Sequence, residues 1–118
     1  MNQAGRHVIA DFYTLDHHSD AAIMAACEAA IAHSGMNVVS CTMKRFKPHG
    51  LTAVWILEES HFTVHTYPEH RYISVDCYTC GTEGDPAGAV QHLLKALGAK
   101  DATARLLKRG DAESRACG

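Results

Sequence analysis

Three side chains that can form bonds or transfer protons lie close together in the middle of this 118-residue chain. Ser60 follows two glutamates, His65 comes five residues later, and Cys80 lies twenty residues beyond the serine. A serine hydroxyl is a nucleophile when a neighbouring base accepts its proton, and imidazole is a suitable base near neutral pH. A cysteine thiol is ordinarily protonated at pH 7 and can donate its proton. The segment 58–81 is therefore where we expect the chemistry of this protein.

Two short β-like runs, 62–66 and 72–79, connect these three residues along the chain, and a turn separates the two runs. Successive residues of a strand point to opposite faces, so Ser60 and His65 would lie on opposite sides of one regular strand. They can meet only if the chain bends between them. Because the segment 58–61 falls between two strand-like runs, we expect a tight turn there, with Ser60 in the turn rather than in the sheet.

The rest of the chain predicts an α+β fold. Ser19 is a suitable N-cap for a helix over 20–33, and Asp85-Pro86 has the residue types that begin a second helix. Residues 51–57 are apolar on both faces, which is typical of a central strand. Further strands are predicted over 6–13, 37–46 and 102–108. The order β-α-β-β-β-β-α-β indicates two helices packed on one face of a mainly antiparallel sheet.

Composition and charge exclude several classes of protein. The length fits one domain over residues 1–118, and 47% hydrophobic with 20% charged residues is ordinary for a globular chain. The net charge of −2 and the lack of a Lys/Arg run argue against a nucleic-acid partner, and no apolar stretch approaches the ~20 residues that span a bilayer. Five cysteines, without an export pattern in the segment MNQAGRH, indicate reduced thiols and a cytoplasmic protein.

The segment EESHFTVHTYPEHRYISVDCYTCG resembles the self-cleavage segment of the prokaryotic S-adenosylmethionine decarboxylase proenzymes, a family of pyruvoyl enzymes. The pieces ESH and HTYPEH, the aspartate Asp76 and the piece TCG occur in the order and spacing of that family. The resemblance covers most of residues 5–97 and implies a two-layer αβ sandwich. Outside the central segment it is carried by Gly5-Arg6-His7 with Asp11-Phe12, by Lys44-Arg45-Phe46 through Gly50, and by Asp85-Pro86.

The resemblance implies that the chain cuts itself between Glu59 and Ser60, into pieces 1–59 and 60–118. The Ser60 hydroxyl would attack the carbonyl of Glu59 and convert the amide into an ester. A base would then remove the α-proton of Ser60, and the ester would leave by β-elimination, so that the new N-terminus becomes a pyruvoyl group. His65 matches the processing base of the family.

The resemblance also assigns the chemistry of turnover. The pyruvoyl ketone made from Ser60 is the cofactor, it forms a Schiff base with the substrate amine, and no metal is implied. Cys80 matches the general acid that returns a proton to the substrate after carbon dioxide leaves. Thr52 falls where the family has a serine that assists processing; it keeps the hydroxyl, although its branched side chain restricts the rotamer.

Four residues match the positions at which the family binds S-adenosylmethionine. Phe46 and Tyr67 would stack on the adenine, with Tyr67 at the position where bacterial relatives commonly carry tryptophan. Glu69 matches the glutamate that holds the ribose hydroxyls, and Asp11 takes a position where relatives often have glutamate. The family further implies a homodimer of cleaved protomers whose sites are shared between the copies, and a product that donates aminopropyl groups for spermidine synthesis.

Three alternatives stay open at this point. Homologues with the same processing residues could act on a basic amino acid such as ornithine or arginine, and a non-enzymatic homologue could fold without cleaving. His61, His65, Cys77 and Cys80 also offer two nitrogens and two sulfurs for a tetrahedral zinc ion. The zinc site is disfavoured because strand residues four apart lie roughly 13 Å from each other, and because the two cysteines have opposite parity.

Overall fold

The chain folds into a six-stranded sheet with two helices against one of its faces. The elements follow in the order β1 (Gly5–Thr14), α1 (Asp20–His33), β2 (Val38–Arg45), β3 (Leu51–Leu57), β4 (Ser60–Tyr67), a short 3₁₀ turn (Pro68–His70), β5 (Tyr72–Cys80), α2 (Pro86–Ala96) and β6 (Ala99–Arg109). The strand order across the sheet is β2-β3-β4-β5-β1-β6, and all five neighbouring pairs are antiparallel. The predicted α+β sandwich is therefore confirmed.

The computed structural model describes residues 5–80 and 84–110 of the chain. Both ends of the predicted 1–118 domain lie outside the described residues, as does the segment 81–83, which contains Gly81 of the TCG piece. The residues expected to carry the chemistry are all within the described part.

Local signals place both helices where the sequence predicts them. The Ser19 hydroxyl accepts the N–H of Ala22 at 3.1 Å and begins α1, while the Asp85 carboxylate accepts the N–H of Gly88 at 2.9 Å and begins α2. Gly98 follows α2 with a φ of 64°, a left-handed conformation that glycine adopts without strain. Within the described part of the chain, neither helix is long and apolar enough to cross a membrane.

The core lies between the helices and one face of the sheet, the helix face. Alternate residues of the strands point into it, and its largest fully buried side chains are those of Trp55, Phe12 and Phe62. The apolar stripes of the helices cover these side chains with Ile23, Cys27, Ile31, Val90 and Leu93. The opposite face, on which neither helix packs, is the open face, and its side chains are half-buried or exposed.

The strand that carries Ser60 starts earlier than the sequence suggests. β4 begins at Ser60, which pairs with Leu57 of β3 and with Thr79 of β5, so the connection is confined to Glu58 and Glu59. Two residues are enough to join antiparallel strands, and the ladder therefore runs up to the connection itself. The expectation that Ser60 lies in the turn rather than in the sheet is wrong.

β3 and β6 also differ from expectation. Leu51, Ala53, Trp55 and Leu57 of β3 point into the core, whereas Ile56 is 52% exposed on the open face. β3 is apolar on both faces, but only its helix face is covered within one chain. β6 spans Ala99–Arg109 rather than 102–108, because it pairs along most of β1.

Candidate active site

The peptide bond between Glu59 and Ser60 lies at the end of the hairpin that joins β3 to β4. Glu59 has a φ of 59°, in the left-handed region that residues other than glycine adopt at a cost in conformational energy. Its carbonyl oxygen accepts the backbone N–H of Cys80 at 2.9 Å. A hydrogen bond from an N–H stabilises negative charge on the oxygen, so this carbonyl is prepared for nucleophilic attack.

The side chain of Ser60 follows this carbonyl in the chain and points to the helix face. Its hydroxyl donates a hydrogen bond of 2.8 Å to the hydroxyl of Thr79, which is 1% exposed. An open cavity of about 490 Å³ lies at this end of the sheet, and its lining includes Glu58, Glu59, Ser60, Thr79 and Cys80. These five residues are called the cleavage half-site below.

Cys80 differs from Cys77 in the face of β5 on which it lies. Cys77 is fully buried in the core, where desolvation raises the pKa of its thiol to about 12. Cys80 lies three residues further along the strand, on the opposite face, and is exposed in the same cavity as Ser60. Of these two thiols, Cys80 is the one that can reach a substrate bound in the cleavage half-site.

A second cavity lies at the other end of β4. Its volume is about 300 Å³, and its lining includes Phe46, Thr52, His65, Tyr67 and Glu69, which are called the aromatic half-site below. Thr52 and His65 are partners across the β3–β4 pair, and the Thr52 hydroxyl lies 3.0 Å from Nδ1 of the imidazole. This hydrogen bond holds the His65 ring in one orientation.

The two acidic side chains predicted to bind substrate have different surroundings. A hydrogen bond from its own backbone N–H holds the pKa of the Glu69 carboxyl below its ordinary value. The His49 imidazole, 3.1 Å from the carboxylate, lowers this pKa further. Asp11 lines neither cavity and instead accepts the hydroxyl of Tyr72 at 2.5 Å. This bond, with burial, raises the pKa of Tyr72 to about 12. The Tyr72 ring packs 5.3 Å from the ring of Tyr67, so Asp11 reaches the aromatic half-site only through Tyr72.

The structure thus brings the predicted residues together in two groups and not in one. Ser60 and His65 lie near opposite ends of β4, roughly 17 Å apart at 3.4 Å per residue. β4 pairs with both neighbours without a register shift, so no bend turns one residue toward the other. The bend that would let Ser60 and His65 meet within one chain is therefore absent, because the strand stays regular and places their side chains on opposite faces.

The zinc set considered from the sequence is not assembled either. Cys77 lies in the core, whereas His61, His65 and Cys80 lie on the other face of the sheet. His61 and His65 are four residues apart on one strand, too far to share an ion.

His61 instead belongs to a cluster with His7 and Asp76, whose nitrogen and oxygen atoms lie within 4.8 Å of one another. Oδ2 of Asp76 is 2.7 Å from Nε2 of His7 and 3.0 Å from Nε2 of His61. Arg109 donates to Nδ1 of His7 at 3.1 Å, so Nε2 of His7 carries a proton that Asp76 accepts. A metal ion would need that nitrogen unprotonated and would lie close to the Arg109 cation, so the geometry favours a hydrogen-bonded cluster.

Comparison with known proteins decides the family. A family model described as S-adenosylmethionine decarboxylase matches residues 6–110 of the chain. The chain belongs to the S-adenosylmethionine decarboxylase family. The resemblance seen in the sequence and the enzyme class that it implied are thereby confirmed.

Individual relatives of this S-adenosylmethionine decarboxylase family member cover most of its length. An S-adenosylmethionine decarboxylase proenzyme from Thermotoga maritima is 41% identical over 103 residues, which are 85% of this chain and 79% of the relative. An S-adenosylmethionine decarboxylase proenzyme 2 from Bacillus cereus is 36% identical over 113 residues, which are 92% of this chain and 91% of the relative. The crystal structure of the adenosylmethionine decarboxylase from Aquifex aeolicus matches with a TM-score of 0.84 and 30% identity over 93% of both chains.

Two contacts in this decarboxylase were missed from the sequence. Thr79 accepts the hydrogen bond of Ser60, and His49 lies against Glu69. A signal for Thr79 was available, because it continues the series Ile73, Val75 and Cys77 that faces the core, and a buried hydroxyl requires a partner. His49 lies in a turn between two strands, where sequence periodicity carries no information about side-chain contacts.

Proposed function

We propose that this chain is a proenzyme that cleaves itself between Glu59 and Ser60, into pieces 1–59 and 60–118, and then decarboxylates S-adenosylmethionine. The observation that carries the proposal is the hydrogen bond from the Cys80 N–H to the Glu59 carbonyl, beside a serine whose hydroxyl is held in place. It occurs in a chain whose relatives are named proenzymes.

Cleavage begins as an acyl shift from nitrogen to oxygen. A bond forms between Oγ of Ser60 and the carbonyl carbon of Glu59, the C–N bond breaks, and the hydroxyl proton moves to the amine nitrogen. The N–H of Cys80 stabilises the negative charge that develops on the carbonyl oxygen. A base then removes the α-proton of Ser60, and the Glu59 carboxylate leaves. His65 is our candidate for that base, because a neutral imidazole accepts protons near neutral pH.

The dehydroalanine left at position 60 becomes the pyruvoyl group by taking up water and releasing ammonia. The half-site fits this group, because Ser60 lines an open cavity that Cys80 also lines. When formed, the pyruvoyl group supplies a carbonyl that withdraws electrons as carbon dioxide leaves the substrate. Cys80 then donates the proton that the product carbon needs, since its thiol is exposed in the same cavity.

The distance between the two half-sites within one chain is our reason for proposing a homodimer. Ser60 and His65 of one chain are roughly 17 Å apart, far beyond the distance over which a proton is transferred directly. We propose that the cleavage half-site of each protomer is completed by Thr52 and His65 of the partner subunit. The aromatic half-site of the partner subunit then provides the binding residues for the substrate.

The open face of the sheet supports this pairing. Ile56 is 52% exposed there, and Tyr13 is 41% exposed. The Thr63 hydroxyl, on the same face, is buried but has no hydrogen-bond partner among the described residues, which costs about 1–3 kcal/mol when left unpaired. A second copy of the chain packed on this face would cover these side chains and offer a partner to the Thr63 hydroxyl. A two-fold axis through paired open faces would bring the aromatic half-site of one copy to the end of the sheet where the other copy exposes Cys80 on its open face, next to the Glu59–Ser60 bond.

The aromatic half-site favours S-adenosylmethionine over a basic amino acid. Phe46 is 49% exposed and Tyr67 is 45% exposed, so both rings offer a face on which adenine can stack. The rings also attract the positive sulfonium. Glu69 supplies a carboxylate for the ribose hydroxyls, and ornithine and arginine have no nucleobase to stack.

The product would donate aminopropyl groups for spermidine synthesis, and we place the enzyme in the cytoplasm.

Two measurements test the proposal. Intact-mass spectrometry should show the pieces 1–59 and 60–118, with a carbonyl-reactive group on the second piece. Release of labelled carbon dioxide should be far greater from carboxyl-labelled S-adenosylmethionine than from ornithine or arginine. Protein that stays uncut and forms no carbonyl adduct would favour the non-enzymatic alternative. Release from a basic amino acid alone would overturn the substrate.

A further inference from the structure

The position of the Ser60 hydroxyl has its cause on the neighbouring strand. Ser60 and Thr79 pair across β4 and β5, their side chains both point to the helix face, and their hydroxyls are 2.8 Å apart. The Thr79 hydroxyl donates toward the carbonyl oxygen of Cys80 at 3.4 Å and accepts the hydrogen bond from Ser60. Thr79 is 1% exposed and β-branched, which restricts it to few rotamers.

We propose that Thr79 is a positioning residue for self-cleavage, an inference that rests on the proposed cleavage at Ser60. By accepting the Ser60 proton, Thr79 fixes the rotamer of the nucleophile and leaves the oxygen lone pairs free to attack the Glu59 carbonyl carbon. The next residue, Cys80, holds the carbonyl oxygen through its backbone N–H. Two consecutive residues of β5 therefore hold both reacting groups, and such prior alignment is a large source of rate acceleration.

This role has a consequence that a purely structural role lacks. Oγ of Ser60 leaves with the Glu59 carboxylate when the ester is eliminated, so the atom that Thr79 holds is absent from residue 60 of the mature enzyme. Removing the Thr79 hydroxyl should therefore slow cleavage more than it slows turnover by protein that has already been cleaved.

The test follows cleavage of freshly translated protein by quenching samples over time and measuring intact mass. Thr79→Val and Thr79→Ala lack the hydroxyl, Thr79→Ser restores it, and Thr14→Val is the matched control. Thr14 is 4% exposed, and its hydroxyl bonds the carbonyl of Asp16 at 2.9 Å. It pairs with Ala99 at the end of β1 remote from Gly5, the partner of Cys80.

We expect cleavage to slow about tenfold in both variants without the hydroxyl, because each loses one aligned hydrogen bond. In Thr79→Ser the rate should stay within about threefold of the original. Thr14→Val should cleave at the original rate, and in the Thr79 variants without the hydroxyl turnover per pyruvoyl group should fall by less than cleavage does. Circular dichroism checks folding; if Thr79→Val does not fold, the Thr79→Ala and Thr79→Ser pair decides the result.

Cleavage at the original rate in a folded variant without the hydroxyl would overturn the role of Thr79 and leave the proposed function intact. An equal loss of cleavage and of turnover per pyruvoyl group would also overturn it, since that pattern indicates a structural role. If the unaltered chain does not cleave, the proposed function itself is wrong.

Discussion

The two ends of β4 share one strand but have different chemistry. At its start, the cleavage half-site has a left-handed Glu59, a polarised carbonyl and the hydroxyl of Ser60, on the helix face. Near its end, the aromatic half-site has His65 held by Thr52 beside two exposed rings. In our proposal, one end contains the bond that breaks and the other contains a base and a binding surface. The comparison teaches that one chain holds these two groups of residues apart, which is why we propose that a second chain completes the site.

Replacing the nucleophile should have the largest effect. Ser60→Ala should abolish cleavage and all decarboxylation, because no oxygen remains to attack Glu59. Intact-mass spectrometry and labelled carbon dioxide release measure both. Ser19→Ala is the control: it removes the N-cap of α1 at about 1 kcal/mol but should cleave normally. Cleavage in Ser60→Ala would place the reactive bond elsewhere.

Changes at the other end of β4 should slow cleavage, although within one chain they lie roughly 17 Å from Ser60. His65→Ala should slow processing by about 10²–10⁴-fold and stop it at or before the ester, so that hydroxylamine releases the two pieces. Thr52→Val should slow it less, by about tenfold, since it loses one hydrogen bond to the imidazole, and Thr52→Ser should restore the rate. Normal cleavage in His65→Ala would leave the aromatic half-site without a part in processing.

Cys77 and Cys80 of β5 lie on opposite faces of the sheet, so replacing each in turn compares the two faces directly. Cys80→Ala should reduce turnover by about 10²–10⁴-fold, or permit abortive protonation of the pyruvoyl carbon, while cleavage persists. Cys77→Ala should reduce stability by about 1 kcal/mol through loss of core packing and leave turnover nearly unchanged. Steady-state kinetics and thermal unfolding measure these outcomes. A larger loss of turnover in Cys77→Ala than in Cys80→Ala would show that the proton donor is assigned wrongly.

Removing an aromatic ring from the aromatic half-site should raise KM for the substrate. Tyr67→Ala should raise KM for S-adenosylmethionine by an amount equivalent to about 1–3 kcal/mol, the value of a stacked base, with little change in cleavage. Tyr67→Phe keeps the aromatic face and is the matched control. An unchanged KM in Tyr67→Ala would mean that the adenine binds elsewhere.

The smallest effect is expected at Tyr72, which links Asp11 to the aromatic half-site. Its pKa is raised to about 12, above its ordinary value near 10, so the folded protein holds this proton more tightly than the unfolded chain does. The stabilisation is complete below pH 10 and is lost as the pH rises from 10 toward 12. The stability difference between the original chain and Tyr72→Phe, measured by urea unfolding, should therefore shrink over that range. A constant difference would contradict the Tyr72–Asp11 bond.

Sequence patterns predicted much of this fold because local rules decide most of it. Ser19 and Asp85 begin the two helices as caps, and the alternation of β5 follows its burial. The patterns failed at Ser60, because strand length near a two-residue connection depends on pairing with Thr79 of β5, a contact that no local pattern contains. β3 is paired on both sides, as expected of a central strand, although its second apolar face is open in one chain.

The candidate site could be predicted as a set of residues but not as a geometry. The motif match selected Ser60, His65 and Cys80, whose functional roles remain predictions, and strand parity correctly indicated that the first two face apart. The sequence offered a bend as the solution, whereas the regular pairing of β4 removes it. The second copy of the chain that we propose would depend on an interface that one sequence does not display.

A mixed dimer tests the shared site most directly. Two differently tagged chains, Ser60→Ala and His65→Ala, are expressed together, and dimers that carry both tags are purified. The Ser60→Ala chain supplies an intact His65, and the His65→Ala chain supplies an intact Ser60. Intact-mass spectrometry should then show the His65→Ala chain cut into 1–59 and 60–118, although it stays uncut, or stops at the ester, when expressed alone. A His65→Ala chain that remains uncut in the mixed dimer would contradict a site built from the two ends of β4 on two chains.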